Sequence, residues 1–407
     1  MASVPALKGK ASLRQRPTIG LAAANGSCHF ITLEVLKARH GSRLVARVRL
    51  LLACVIAGTA GAAWAEVVPW LYDGEVAVAS QSDADRRRGA AIALAEVLAR
   101  TTGFREVPFS PVVDAAIRNP DQFYVRYGFA RHDVEPAEDG AADFQTYLEI
   151  PFERSTLLGL LRRSGLPVWS ADRPTTLVWV VLQRDAAREV VSVATFDPAA
   201  REVVSTMHRE ARRRGIVLTF PLMDLEDRGL LTTDLWGRFW TAIGRASRRF
   251  PADIVLLGRL TEDAVGRWRS HWELRSPNGE NELAASFVHQ GASAGAAAGE
   301  AVHRLADALA ERFAVRGGDL DAIALTVRGA WTARAYAALL AHLRSREYID
   351  RVDVRAIDPD ALHLKLQSRS GRDQLLELLL MGGYLSESRT TSPTAAPGLE
   401  LNWMGAR

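Results

Sequence analysis

Residues 165–182 read Gly165-Leu-Pro-Val-Trp-Ser-Ala-Asp-Arg-Pro-Thr-Thr-Leu-Val-Trp-Val-Val-Leu182, and the apolar run Leu177–Leu182 that closes them decides the fold. A short apolar run bounded by turn-forming and polar residues suits a strand covered on both faces. Two more runs follow, Ile216–Phe220 and Ile254–Leu257, the latter closed by Gly258-Arg-Leu260. Helix-length segments separate them, the first ending in Arg212-Arg-Arg-Gly215. This alternation predicts a central α/β domain over residues 166–315 with a mostly parallel sheet.

Working outward, Trp268, Ser270, Trp272 and Leu274 alternate with Arg269, His271, Glu273 and Arg275. The period of two predicts a strand with its apolar face buried under a helix over 298–313 and its charged face in solvent. Trp236, Phe239, Trp240 and Ile243 fall at helical spacing and read as packing residues. Trp179, inside the first apolar run, reads as core.

Residues 66–165 predict a small N-terminal β-α-(α)-β-β-α unit. Its long helix starts at Ser82, with Asp85 completing an approximate capping box, and stops at Gly103. Past a compositional break at Val315-Arg-Gly-Gly-Asp319, residues 320–385 predict a C-terminal ferredoxin-like βαββα(β) unit whose last strand comes from Tyr384 or Leu399. Residues 386–407 read as a flexible tail. The expected fold class is thus α/β and α+β, a central α/β domain flanked by two smaller units.

The net charge of +4 and the basic pI come from the first 65 residues, which hold nine Lys/Arg and one Glu. The remainder carries 42 basic against 46 acidic residues, so the charge gives no reason to expect a nucleic-acid partner. The first 65 residues read as a leader. Arg43, Arg47 and Arg49 precede the apolar stretch Leu50–Gly61, and Ala63-Trp-Ala65 offers a small-x-small cleavage site before Glu66. The reading is a secretory signal peptide cut after Ala65, with a periplasmic product. The alternative is an inner-membrane anchor formed by an uncleaved Leu50–Ala65. The stretch is short for a span, which needs about 20 apolar residues. The 35 residues ahead have no periodicity, and they place the expected translation start near Val35 or Leu36. Cys54 sits within the apolar stretch rather than after it, which speaks against lipidation. Cys28 and Cys54 are the only cysteines, so a processed chain would have neither disulfides nor thiolate metal sites.

No Gly-x-Gly-x-x-Gly, phosphate loop, Gly-x-Ser-x-Gly or His-Glu-x-x-His occurs. The seven histidines after the leader are dispersed without metal-ligand spacing. No cofactor is expected. Asp224, Glu226 and Asp227 follow the run Ile216–Phe220, at the carboxyl end of a predicted parallel strand, where open α/β sheets bind ligands. They are the candidate ligand or metal residues, and carboxylates there could hold a cation or act as general acid and base. The competing reading is structural: Asp224 caps the following turn and its neighbours are solvated.

Several blocks resemble a proteobacterial exported family described as domain of unknown function 2066. They are Pro69-Trp-Leu-Tyr72 with Gln81-Ser82, Gly165-Leu-Pro-Val-Trp169, Arg173-Pro174, Leu177-Val-Trp179, Pro221-Leu-Met-Asp-Leu-Glu-Asp227 and Leu257-Gly-Arg-Leu260. The resemblance spans roughly residues 66–290. It implies export and an unassigned role, and supplies no catalytic residues. Two expectations follow. The first is a non-catalytic periplasmic binding or scaffold protein with an envelope protein or cell-wall component as partner. The alternative is a periplasmic hydrolase or metal-dependent enzyme using Asp224, Glu226 and Asp227.

Overall fold

A computed structural model describes residues 66–134, 143–224, 227, 232–277, 285–388 and 398–405. The leader expected over residues 1–65 and the tail segment 389–397 lie outside them. The chain opens with β1 (Glu66–Val67) and β2 (Asp73–Ala77) and enters helix α1 (Asp83–Thr102). The Ser82 hydroxyl accepts the Asp85 N–H at 3.2 Å, and Gly103 ends the helix at φ 82°, as the cap residues predict. Helix α2 (Pro111–Arg118) and a 3-10 turn (Pro120–Phe123) lead to β3 (Gly128–Val134), β4 (Asp143–Pro151) and α3 (Arg154–Ser164). The three strands form an antiparallel sheet in the order β2-β4-β3. Its inner face buries Leu148 and Ile150 against Ala93, Leu94, Val97 and Leu98 of α1. Gly89 lets α1 lie close on this sheet, since a Cβ there would stand 2.8 Å from the Val78 side chain.

The next elements are β5 (Asp172–Arg173), β6 (Thr175–Arg184), β7 (Ala187–Val191), α4 (Pro198–Arg214), β8 (Val217–Thr219), α5 (Thr232–Gly237), α6 (Trp240–Ser247), β9 (Ile254–Glu262), β10 (Trp268–Arg275), β11 (Ala285–Gly291) and α7 (Ala294–Phe313). Strand β6 is the centre of a six-stranded sheet ordered β11-β10-β9-β6-β7, with β8 beside the first residues of β6. Val178, Val180 and Leu182 point towards α4 and α7, and Leu177, Trp179 and Val181 towards α5 and α6. Trp179 is fully buried, and its indole N–H donates to Ser247 Oγ at 3.0 Å.

The expectation of a mostly parallel sheet is corrected. Only β8, β6 and β9 run parallel; β7, β10 and β11 are antiparallel additions. The chain leaves β6 through a tight turn with Asp185 at φ 49° and doubles back as β7, where the sequence had suggested a helix. It leaves β9 through a turn with Gly266 at φ 77° and doubles back as β10.

The last elements are β12 (Asp321–Arg328), α8 (Ala333–Arg344), β13 (Ile349–Ile357), β14 (Leu362–Ser368), α9 (Arg372–Leu380), β15 (Leu385–Glu387) and β16 (Leu399–Trp403). Their sheet is ordered β13-β14-β12-β16-β15. Both expected closing strands form, but β16 inserts between β12 and β15, parallel to β12 and antiparallel to β15. Residues 399–403 are therefore interior sheet, not flexible tail. Leu399 and Leu401 are buried because the pattern Leu399-Glu-Leu-Asn-Trp403 alternates.

The described residues belong to one compact unit with a mixed α/β fold. One apolar cluster runs from α4 and α7 into the C-terminal sheet, while the N-terminal sheet has its own. Glu347 ties the parts together. Its buried carboxylate accepts from Tyr72 Oη at 3.0 Å and Ser170 Oγ at 2.9 Å, and pairs with Arg154 at 3.0 Å.

Candidate functional site

The structure brings Asp224 and Asp227 together, but around a guanidinium. Arg249, just past α6, donates from Nη1 to Asp224 Oδ1 at 2.8 Å and from Nη2 to Asp224 Oδ2, and its Nη1 lies 3.3 Å from Asp227 Oδ1. Asp227 is 1 % exposed, and its Oδ2 accepts the Met223 N–H at 2.8 Å. Asp224 Oδ1 also accepts the Asp227 N–H at 3.0 Å. A cation would have to displace Arg249 from a bidentate pair, the strongest carboxylate contact an arginine makes. The two aspartates therefore close the loop after β8 onto α6. Glu226 lies outside the described residues.

A denser constellation stands on β10. Glu273 is expected in solvent from the strand alternation, yet it is 7 % exposed. The reason lies in the neighbouring helices, where the expected single stripe of Trp236, Phe239, Trp240 and Ile243 is broken. Arg238, at φ 60°, separates α5 from α6 and turns the chain over the sheet. A side chain in that backbone region is strained and is held there by its surroundings. Arg238 Nη1 donates to Glu273 Oε1 at 3.0 Å and Trp240 Nε1 to Oε2 at 3.3 Å. His271 Nε2 lies 3.4 Å and Arg275 Nη2 3.8 Å from the same carboxylate.

Around this centre three arginines lie over tryptophan rings. Arg188 and Arg259 flank Trp236 at 4.2 and 5.7 Å from the ring centre, and Arg275 lies 4.6 Å above Trp240. Arg259 Nη1 donates to the Trp236 carbonyl at 3.3 Å. Phe239 stands 58 % exposed beside them. Burial pushes the Glu273 carboxyl up. The Arg238 and Trp240 hydrogen bonds, with the charges of Arg238 and His271, outweigh it and hold the group below the usual range. Burial, then the nearby Arg238 charge, lowers the Arg259 guanidinium. A carboxylate kept ionised in this way is poorly matched to proton transfer near neutral pH. Three guanidiniums over tryptophan rings, with Arg238 and Arg275 at the one carboxylate, suit recognition of an anion.

Sequence reasoning missed this site because it placed Glu273 and Phe239 by periodicity alone. One signal was available: Glu273 is the one acid on a strand face otherwise made of Arg269, His271 and Arg275.

A family model of a domain of unknown function, DUF8605, matches residues 65–170. That span covers β1 to α3 and the chain leading to β5. It corrects the expected resemblance to family 2066, and agrees with it only in that the matched family has no assigned function. No curated protein matches the chain.

Proposed function

We propose that this is an exported cell-envelope protein that acts by binding, and that its contact surface is the arginine–tryptophan face around Glu273. The observation that carries the reading is the convergence of Arg238, Arg275 and His271 on one ionised carboxylate, with Arg188 and Arg259 over the neighbouring Trp236 ring and Phe239 exposed beside them. The ligand is anionic, a carboxylate- or phosphate-bearing envelope component, because guanidiniums gathered over indole rings offer forked donors that match such oxygens. Export rests on the leader pattern before Glu66, with the periplasm as destination. Among the described residues no helix is long and apolar enough to cross a membrane. In the proposed reading, residues 66–165 and a ferredoxin-like unit at 320–385 flank the binding domain at 166–315. The hydrolase alternative is not taken further, since Arg249 occupies Asp224 and Asp227.

The test uses Arg238→Glu with Arg275→Glu, against peptidoglycan fragments and against phosphatidylglycerol vesicles as the two anionic probes. Loss of at least tenfold in affinity for one probe supports the reading and identifies the anion. Unchanged affinity for both, or no binding by the parent chain, removes it. N-terminal sequencing of the exported form is expected to begin at Glu66.

A further inference from the structure

The outer face of the N-terminal sheet, opposite α1, carries a side-chain cluster that the binding reading does not use. Strands β2 and β4 are antiparallel with Glu75 directly opposite Glu149, and on the same face His132 reaches in from β3. The three offer a nitrogen and two carboxylate oxygens, all within 4.8 Å of one another. Each comes from a different strand of one sheet, so hydrogen-bonded backbone fixes the spacing of their Cα atoms.

Two observations separate this cluster from an ordinary solvated patch. First, like charges facing each other across a strand pair destabilise it. Arg212 answers only one of the two here: its Nη2 grips Glu75 Oε2 at 2.9 Å, while the Glu149 carboxylate has no hydrogen bond or ion pair among the described residues. Second, the parts are oriented. His132 is stacked on Tyr147, with ring centres 4.6 Å apart and planes at 27°, which sets the imidazole plane. Its Nδ1 stands 3.8 Å from Glu75 Oε1, too far for a hydrogen bond. Arg212, itself lying 5.2 Å over the Trp70 ring, holds the second oxygen of Glu75 and leaves Oε1 turned to the histidine. This is the outer support that metal ligands usually have.

We propose that Glu75, His132 and Glu149 form a binding site for a divalent transition metal, Zn²⁺ by the chemistry of its donors. Imidazole with carboxylates suits zinc, whereas all-oxygen sites suit Ca²⁺ and Mg²⁺. Zinc bonds of about 2.0–2.2 Å put neighbouring ligand atoms roughly 3.4 Å apart in a tetrahedron. Closing from a spacing of up to 4.8 Å takes up to about 1.4 Å per pair, within reach of side-chain rotation in the two glutamates. The fourth position faces solvent and takes water. The ion joins three strands of one sheet and cancels the charge opposition between Glu75 and Glu149.

The experiment is isothermal titration of the metal-free full chain with ZnCl₂, paired with the visible spectrum of Co²⁺ in the same site. The expected result is one saturable Zn²⁺ whose affinity falls at least tenfold in His132→Ala and in Glu149→Gln, with Ca²⁺ failing to compete. The Co²⁺ bands should vanish in the same variants. His132 and Glu149 are exposed, so both variants should keep their fold, which circular dichroism checks. Arg212→Ala should weaken binding less, because it orients a ligand without contributing one. Absence of saturable binding, or binding indifferent to His132→Ala, overturns the proposal. Either result leaves the Glu273 reading untouched, since the two clusters lie on different sheets.

Discussion

Strand β10 has two faces built on opposite logics. Towards α7 it presents Trp268, Ser270, Trp272 and Leu274, all buried, with Ser270 Oγ donating to the Ala297 carbonyl at 3.0 Å. Towards α5 and α6 it presents His271, Glu273 and Arg275 in a charged, aromatic cluster. The first face is specified by volume. Gly258 lies across from Trp272 on β9, and a Cβ there would stand 2.3 Å from the indole, so the ring fills space that the glycine leaves open. The second is specified by direction, because each donor must arrive at one carboxylate. A volume rule can be written in a strand's own alternation, whereas a direction rule is set by distant residues.

The comparison breaks first at Trp272. Trp272→Ala should destabilise by about 3–5 kcal/mol in urea denaturation, as removal of a buried aromatic does. A loss under about 1 kcal/mol would mean that the α7 face is not core.

Next comes Glu273→Ala, which strips Arg238 and Trp240 of their acceptor and should cost about 1.5–3 kcal/mol. A solvent-facing Glu273, as the alternation predicts, would cost under about 0.5 kcal/mol. The pH dependence has a definite sign. The folded carboxyl sits below its ordinary value of 4.5, so its contribution is complete above 4.5 and is lost as pH falls below it. The alanine variant should lose that part of the acid sensitivity, read from midpoints at pH 7 and pH 3.5.

Gly258→Ala sharpens the volume rule. Its methyl meets a packed ring, at a cost of about 1–3 kcal/mol. That cost should largely disappear in a Trp272→Ala background, and additive losses would show that the clash is not with the indole. The smallest effect is expected at exposed Arg269, where Arg269→Ala should change stability by less than about 0.5 kcal/mol while leaving the Glu273 cluster intact.

What was legible in the sequence follows the same division. The apolar runs of β6 and β9, the Ser82 cap, the Gly103 stop and the buried alternation of Trp268–Leu274 are local patterns, and the structure repeats them. The β7 hairpin was hidden because Ala187-Arg-Glu-Val-Val191 is polar enough to read as a helix start. The break at Arg238 was hidden because Trp236, Phe239, Trp240 and Ile243 keep helical spacing across it. Asp224 and Asp227 were legible as a cluster but not as partners of Arg249, which lies 25 residues beyond Asp224. No local pattern announces a long-range ion pair.

Strand β16 carries a consequence for how the chain is made. It lies between β12 and β15, both earlier in sequence, so these two stay apart until residues 399–403 arrive. Until then β12 exposes a sheet edge bearing the buried residues Ile323, Leu325 and Val327. A chain threading from its amino end would fold its central sheet first and hold the C-terminal sheet open like an unfastened seam. Truncation before Leu399 should therefore yield a protein that retains the β6–β9 core but self-associates through β12.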